Sequence, residues 1–209
     1  MVYFLIGMHR SGTSLVSNLL HSAGIHMYDQ VRLPDKWNPG GYGEDEEFKA
    51  INKAILHDAG GWWAQPPMPE EIRTAARKYI PDLQRLIKDR DERFDKWGLK
   101  DPRMCLLAQY YPTPAKVVLV TRNTEDIVKS LKKREQEKQR FIQSDAFWTV
   151  LVTRYLAAAY NYVGGVGQKV HIDYDKLTSY HTINSEVKKL ESFLERDIDF
   201  SKIRIRKEI

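Results

Sequence analysis

The segment 7–14, GMHRSGTS, has the residue types and spacing of an anion-binding turn. It follows the apolar run Val2 to Ile6 and leads into residues with the apolar spacing of a helix. Because the first N–H groups of a helix lack partners and its dipole makes that end positive, a phosphate or sulfate is favoured there. Gly7 and Gly12 permit a tight backbone path, and Arg10 adds a fixed positive charge. Hydroxyl groups add further hydrogen-bond donors, at Ser11, Thr13 and Ser14. We therefore expect a phosphorylated ligand at this turn.

The same turn departs from the Walker A loop at one position. That loop reads G-x-x-x-x-G-K-[ST], and residues 7–14 fit it except that Thr13 stands where the lysine belongs. Since the lysine reaches the β- and γ-phosphates of a nucleoside triphosphate, its absence argues against NTP chemistry. The apolar run 117–120 also ends in Thr121 and Arg122, where a Walker B aspartate would be expected. A small-molecule kinase stays open only as an alternative interpretation of the near match.

Two segments of the chain resemble the phosphate-binding motifs of sulfotransferases that use 3′-phosphoadenosine-5′-phosphosulfate (PAPS) as donor. The turn 7–14 resembles their 5′-phosphate loop. The segment 116–131, KVVLVTRNTEDIVKSL, resembles their 3′-phosphate motif, in which Arg122 ends a strand and Ser130 follows eight residues later on a helix. Taken alone, Ser130 would be interpreted as a helix serine bonded to a backbone carbonyl, but the strand-ending arginine favours a shared phosphate.

Further segments extend the resemblance from residue 2 to about residue 131. The segment 97–107, WGLKDPRMCLL, is similar to the family's strand with a catalytic lysine, here Lys100. The segment 38–44, NPGGYGE, is similar to a stretch common in the bacterial branch. The alternative for Lys100 is a surface lysine paired with Asp101.

The resemblance implies transfer of a sulfuryl group from PAPS to a hydroxyl or amine, with the bisphosphate PAP as product. Negative charge develops on the leaving 5′-phosphate, so fixed cations are the useful catalysts, and Arg10 and Lys100 are the candidates. We expect no metal, because arginine and lysine supply the positive charge that magnesium brings to NTP chemistry. The expected nucleotide-binding residues are Arg10, Ser11, Gly12, Thr13, Ser14, Arg122 and Ser130.

The sequence indicates less clearly which residue would take the proton from the acceptor hydroxyl or amine. Cytosolic sulfotransferases carry a histidine two residues after the lysine, but this chain has Pro102 there. Relatives that act on tyrosine or heparan use a glutamate, for which Glu44 is the matching candidate and Glu46 the reserve. The alternative interpretation, in which residues 44–47 are only the acidic N-terminus of a helix, also stays open. We interpret His9 as a hydrogen-bonding residue rather than a base.

The strand and helix signals predict a three-layer α/β fold, with a central parallel sheet between helices, and the resemblance implies a P-loop NTPase-like sulfotransferase architecture. Ligands of open parallel sheets bind beyond the carboxyl ends of the strands, so Ser11, Lys100 and Arg122 should converge. A length of 209 residues predicts one domain over residues 1–209. The predicted strands are Val2 to Ile6, Trp97 to Leu99, Lys116 to Thr121 and Lys169 to Ile172.

Local signals predict the limits of several helices. The periodic stretch 70–90 should break or kink at Pro81, and residues 145–163 should form one long helix. Thr124 is the expected N-cap of the helix that places Ser130 on its inward side. Glycines at 164–167 should end the long helix in the left-handed conformation.

Composition restricts the cellular setting. Lys and Arg number 33 against 28 Asp and Glu, and much of the excess lies in the segment 129–140, KSLKKREQEKQR. We interpret that segment as a solvated helix face rather than a nucleic-acid surface. The single cysteine, Cys105, excludes an internal disulfide, and the apolar opening is too short for a membrane span. We expect a soluble, cytoplasmic protein without an integral membrane segment.

The acceptor pocket is expected to be built from irregular loops. Residues 35–43 and 60–69 are rich in Gly, Pro and Trp, and long loops in compact domains are often functional. The aromatic rings of Trp62 and Trp63, beside Pro66 to Pro69, would suit a small-molecule, carbohydrate or lipid-head acceptor. A nucleotide-binding module without activity is the alternative, because Pro102 replaces the histidine base and the chain is short for the family.

Overall fold

The central element is a four-stranded, all-parallel sheet with strand order β2-β1-β3-β4. A computed structural model describes residues 1–29 and 43–200. The predicted strands are all confirmed, and the second and fourth are each one residue longer than expected, so that they end at Lys100 and Asp173. The strands are β1 (Val2–Ile6), β2 (Trp97–Lys100), β3 (Lys116–Thr121) and β4 (Lys169–Asp173).

Helices connect the strands and cover both faces of the sheet. A short 3₁₀ turn at Ala108–Tyr110 precedes β3. The helices of the described residues are α1 (Thr13–Ser22), α2 (Glu46–Asp58), α3 (Pro69–Lys78), α4 (Ile80–Arg93), α5 (Met104–Leu107), α6 (Thr124–Glu137), α7 (Asp145–Gly164), α8 (Tyr174–Leu177) and α9 (Ile183–Leu194). No helix within the described ranges has the length and apolar character needed to cross a bilayer.

Alternation along β1 divides the core into two halves. Phe4 and Ile6 pack with buried residues of α2 to α7, whereas Tyr3 and Leu5 pack with those of α1 and α9. Because helices cover both faces, every residue of β1 is buried and the strand is apolar throughout. The expected three-layer α/β fold is therefore confirmed, and the sequence β1, turn, α1 beside a parallel sheet is P-loop-like.

Strand register brings the chemically active segments to one edge of the sheet. Leu5 lies opposite Lys100 and Ile6 lies opposite Leu119, so β1, β2 and β3 end at similar heights. The turn after β1 and Arg122 after β3 therefore meet Lys100 at the carboxyl edge, as predicted.

The predicted break near Pro81 is confirmed. Helix α3 ends at Lys78 and α4 begins at Ile80, with Tyr79 between them. Pro81 lies in the first turn of α4, where its missing N–H costs no helical hydrogen bond.

Two predicted helix ends are wrong in detail. Asn123, not Thr124, caps α6, since the Asn123 side chain accepts a hydrogen bond from the Asp126 N–H at 3.2 Å. Both residue types are good N-caps, so sequence alone did not separate them. The long helix α7 does end at the predicted glycines, with Gly164 as its last residue, but the C-cap Gly165 has φ −84°, a right-handed rather than left-handed conformation.

Candidate active site

A cleft of about 670 Å³ opens at the carboxyl edge of the sheet. Nine lysine and arginine side chains line it, against two glutamates. Predicted site residues in its lining are Arg10, Gly12, Thr13, Ser14, Glu44, Lys100 and Arg122. The cleft is therefore strongly basic, as an anion site requires.

The turn after β1 is held in a strained conformation by the residues around it. Arg10 has φ +71°, which is uncommon for a residue with a side chain. Its Nε donates to the Ser130 hydroxyl at 2.8 Å, and its carbonyl accepts from Arg122 Nη1 at 3.0 Å. The structure thus joins three predicted site residues in one hydrogen-bonded group, which offsets the backbone strain of Arg10.

Gly12 is required by both its backbone and its surroundings. It has φ +93°, and a Cβ atom there would lie 1.9 Å from Cδ2 of Tyr174. The helical ladder starts with the Leu15 N–H donating to the Gly12 carbonyl at 3.0 Å. The N–H groups of Thr13 and Ser14 therefore precede the ladder, at the positive end of α1.

Arg122 has a hydrogen-bonding position that the described residues leave unused. Its Nη2 donates to Asp126 at 3.3 Å, and its guanidinium lies over the Tyr174 ring, 5.3 Å from the centroid. Its Nε is buried and has no hydrogen-bond partner among the described residues, the Asp175 carboxylate lying 3.8 Å away. Since an unpaired buried donor is costly, a ligand oxygen at this point would be stabilising.

Lys100 is buried and paired across the cleft with Glu44. Its Nζ lies 2.8 Å from Glu44 Oε1 and 3.3 Å from the Ser14 hydroxyl. Asp101 instead accepts from Arg103 at 2.8 Å, so the alternative of a surface pair between Lys100 and Asp101 is wrong. The structure places an ammonium group directly beside the turn after β1.

The environment of Glu44 keeps its carboxylate ionised. Burial raises the pKa of Glu44, but the charges of Lys100, Lys49 and Arg103 and the hydrogen bond from Lys100 together hold that pKa below its ordinary value. Lys49 Nζ lies 3.5 Å from Glu44 Oε2. Glu44 is therefore a charged partner of Lys100.

Glu46 occupies a different environment from Glu44. Its side chain is 62% exposed, is ion-paired to Lys49, and is absent from the described lining of the cleft. The acidic helix N-terminus also exists, since Asp45 caps α2 by accepting from the N–H groups of Glu47 and Phe48. Geometry thus separates Glu44, at the cleft, from the acidic residues that follow it.

Ser11 is turned into the loop. Its hydroxyl and its N–H both donate to the Met8 carbonyl, at 2.7 Å and 3.2 Å. It is not among the described residues that line the cleft. Its placement indicates that Ser11 shapes the turn, whereas Thr13 and Ser14 face the space where an anion would lie.

His9 lies between the turn and the tryptophan loop. Its ring contacts the Trp63 ring at a centroid distance of 4.6 Å, and its buried Nε2 has no hydrogen-bond partner among the described residues. Burial, followed by the positive charges of Arg134, Arg103 and further cleft cations, lowers the pKa of His9 well below its ordinary value. The imidazole is therefore neutral at pH 7.

The loop between α2 and α3 contributes the predicted tryptophans to the cleft. Trp62 and Trp63 line it, and the Trp63 carbonyl accepts a hydrogen bond from the buried Tyr155 hydroxyl at 2.7 Å. Pro66 to Pro69 are not in the described lining. The other predicted acceptor loop spans residues 35–43, of which residues 35–42 lie outside the described residues.

Four residues at the end of α6 and just beyond it line the cleft and were not identified from sequence. They lie in the basic segment 129–140, which we interpreted from sequence as a solvated helix face. That interpretation is wrong for these four residues, because they line the cleft. Ser130, Arg134 and Lys138 are four residues apart, so the helical period of α6 is the signal that would have found them. The residues are Arg134, Glu135, Lys138 and Arg140.

Comparison with known proteins agrees with the geometry. The family model described as "Sulfotransferase family" matches residues 3–199 of the 209-residue chain, a range that contains all described residues of the cleft. No curated protein matches the chain. Because the matched range is far more than half of the sequence, the chain belongs to the sulfotransferase family, whose shared chemistry is sulfuryl transfer.

Proposed function

We propose that this protein transfers a sulfuryl group from PAPS to a hydroxyl or amine of an acceptor. The observation that carries the proposal is the joined group of Arg10, Arg122 and Ser130, with Lys100 on the other side of the same turn. This arrangement provides separate positive positions for the two phosphate-bearing ends of an adenosine bisphosphate.

The residues present fit such a nucleotide. The unpartnered Nε of Arg122, with the hydroxyl of Ser130 nearby, suits one phosphate. The leading N–H groups of Thr13 and Ser14, at the start of α1, suit the other. Arg10 lies between the two positions because its side chain contacts Ser130 while its backbone belongs to the turn.

PAPS would supply the activated sulfuryl group, and Lys100 would supply positive charge near the phosphate that leaves. The Lys100 ammonium is held by Ser14 and Glu44, so its position is fixed before the donor binds. A preorganised cation of this kind contributes about 10²-fold to 10³-fold in rate.

Glu44 is the candidate base, and its pairing with Lys100 couples the two roles. While Lys100 remains on Glu44, the carboxylate is a weak base, because the ammonium lowers its pKa. If the Lys100 charge turns to the donor, that pKa rises and Glu44 becomes a stronger proton acceptor. Donor binding and proton transfer are thereby linked through one ion pair.

Transfer of labelled sulfate from PAPS to an acceptor panel tests the proposal. Lys100→Met should reduce turnover by about 10²-fold to 10³-fold, a larger loss than its loss of PAP affinity, and Glu44→Gln should also reduce turnover. The matched control is Lys129→Met, whose side chain is 73% exposed on α6.

Turnover that survives both substitutions would reject the catalytic assignment of Lys100 and Glu44 while leaving the family assignment intact. A protein that binds PAP but transfers no sulfate to any acceptor would instead be a binding module. Failure of the protein to bind PAP at all would reject PAPS as the sulfuryl donor.

A further inference from the structure

One part of the cleft carries positive charge that the proposed donor site does not use. Glu135 is buried, and Arg134 Nε donates to its Oε1 at 2.8 Å. Arg140 Nε lies 3.8 Å from its Oε2, and Lys138 also lines this part. One carboxylate therefore faces two guanidinium groups, which leaves a net positive charge.

Aromatic rings stand beside that charge. Arg134 lies over the Trp63 ring, 5.2 Å from the centroid. The Trp62 ring contacts the rings of Trp63 at 5.6 Å and Phe141 at 5.1 Å, and Trp62 is 38% exposed. We call this surface the basic aromatic wall, and define it as Trp62, Trp63, Arg134, Lys138, Arg140 and Phe141.

An unusual helix end brings Arg140 and Phe141 to the wall. Helix α6 ends in a Schellman turn, in which the Gln139 N–H donates to the Gln136 carbonyl at 3.0 Å and the Arg140 N–H to the Glu135 carbonyl at 3.2 Å. Gln139 has φ +50°, a left-handed conformation that usually belongs to glycine. The chain thus accepts backbone strain where it turns a charged and an aromatic side chain back toward the cleft.

We infer that the acceptor is an anionic compound with a flat ring face, bound by the basic aromatic wall. This inference rests on the proposed function, and it adds the chemical class of the acceptor to it. A carboxylate or phosphate oxygen would pair with Arg140, and the ring would stack on Trp62 or Phe141. A neutral acceptor would offer the Arg140 guanidinium no opposite charge in place of its contacts with water. Acidic sugars and phosphorylated ring compounds share the required chemistry.

Binding to the PAP-saturated protein tests this inference, after PAP binding itself has been measured. The probes are p-nitrophenyl β-glucuronide, p-nitrophenyl phosphate and the neutral p-nitrophenyl β-glucoside. We expect both anionic probes to bind about tenfold or more tightly than the glucoside, as a charge-assisted hydrogen bond implies. Stronger binding of the glucuronide would indicate an acidic sugar, and stronger binding of the phosphate a phosphorylated acceptor.

Arg140→Gln should weaken the anionic probes about tenfold while leaving the glucoside and PAP unchanged. Arg140 is 61% exposed, so the variant should fold normally. Lys133→Gln is the matched control, since Lys133 is exposed on α6 and outside the described cleft lining. It should leave all affinities unchanged.

Equal binding of charged and neutral probes, or no binding of any, would overturn the inference while PAP binding preserves the proposed donor site. A loss of PAP affinity in Arg140→Gln would also overturn it, because the wall would then belong to the donor. Absence of PAP binding in the wild-type protein would remove the proposed function and this inference together.

Discussion

Individual charges in the cleft are positioned by other cleft residues before any ligand binds. Lys100 is fixed by Glu44 and Ser14, and Arg10 is fixed by Ser130. Such pairs limit the reorganisation that a reaction requires, but they also make each partner depend on the other. Removing Glu44 or Lys100 deprives a buried charge of one opposite charge, which destabilises the folded chain.

The buried imidazole of His9 predicts how the free energy of unfolding changes with pH. Because the folded imidazole stays neutral while the unfolded one gains a proton below about pH 6.5, the free energy of unfolding should fall as the pH drops from about 7.5 to about 5. His9→Gln should make that dependence shallower, because His9 contributes at most about 1.4 kcal/mol per pH unit to it. Urea denaturation of the ligand-free protein across this range measures the slope.

The matched control for His9 is His57→Gln, because the His57 side chain is 90% exposed. That variant should keep the wild-type slope. An unchanged slope in His9→Gln would show that the buried imidazole does not remain neutral in the folded chain.

Among the elements, α6 contributes residues to two separate parts of the cleft region. Its N-terminus lies beside Arg122, its second turn presents Ser130, and its last turn presents Arg134. The spacing of four residues between Ser130 and Arg134 places both on one face of the helix. The start and end of this single helix therefore determine the geometry of the donor site and of the basic aromatic wall.

Capping of α6 can be tested by two neighbouring substitutions. Asn123→Ala should destabilise the protein by about 1 kcal/mol, because the Asn123 side chain accepts from the Asp126 N–H. Thr124→Ala should change stability by less than about 0.5 kcal/mol, since Thr124 is the first helical residue and not the cap. Chemical denaturation of the two variants measures the difference. A larger cost for Thr124→Ala would mean that the cap has been assigned to the wrong residue.

Regular elements were predictable because their signals are local. The apolar runs of β1 and β3 and the proline near Tyr79 lead directly to the observed strands and helix break. The end of α6 was not predictable in this way, because Gln139 occupies a left-handed position that sequence patterns associate with glycine. The cap of α6 was misassigned because Asn123 and Thr124 are adjacent residues with similar preferences.

At the scale of the whole molecule, the parallel sheet gathers residues that are distant in sequence. The turn after β1, Lys100 and Arg122 were predictable as neighbours, since parallel strands end at a common edge. The contact between Trp63 and Arg134 was not, because it depends on how the loop before α3 packs against α6 and α7. Sequence motifs therefore identified the expected donor side of the cleft better than the basic aromatic wall.

The charge of the cleft predicts a salt dependence. Nine basic side chains against two glutamates should attract a bisphosphate, and salt should screen that attraction. We expect PAP affinity to fall about tenfold between about 50 mM and about 500 mM salt, whereas that of neutral adenosine should change little. Isothermal titration at several salt concentrations measures both. Equal salt dependence for the two ligands would exclude charge attraction as the source of PAP binding.

We propose that Arg10, Lys100, Arg122 and Ser130 form a site for an adenosine bisphosphate. Equilibrium titration of the protein with PAP, and separately with ATP and magnesium, tests this proposal. We predict that PAP binds at least about tenfold more tightly than magnesium-ATP, a difference of about 1.4 kcal/mol, and that a chelator leaves PAP affinity unchanged. Tighter, magnesium-dependent binding of ATP with weak or absent binding of PAP would contradict the account.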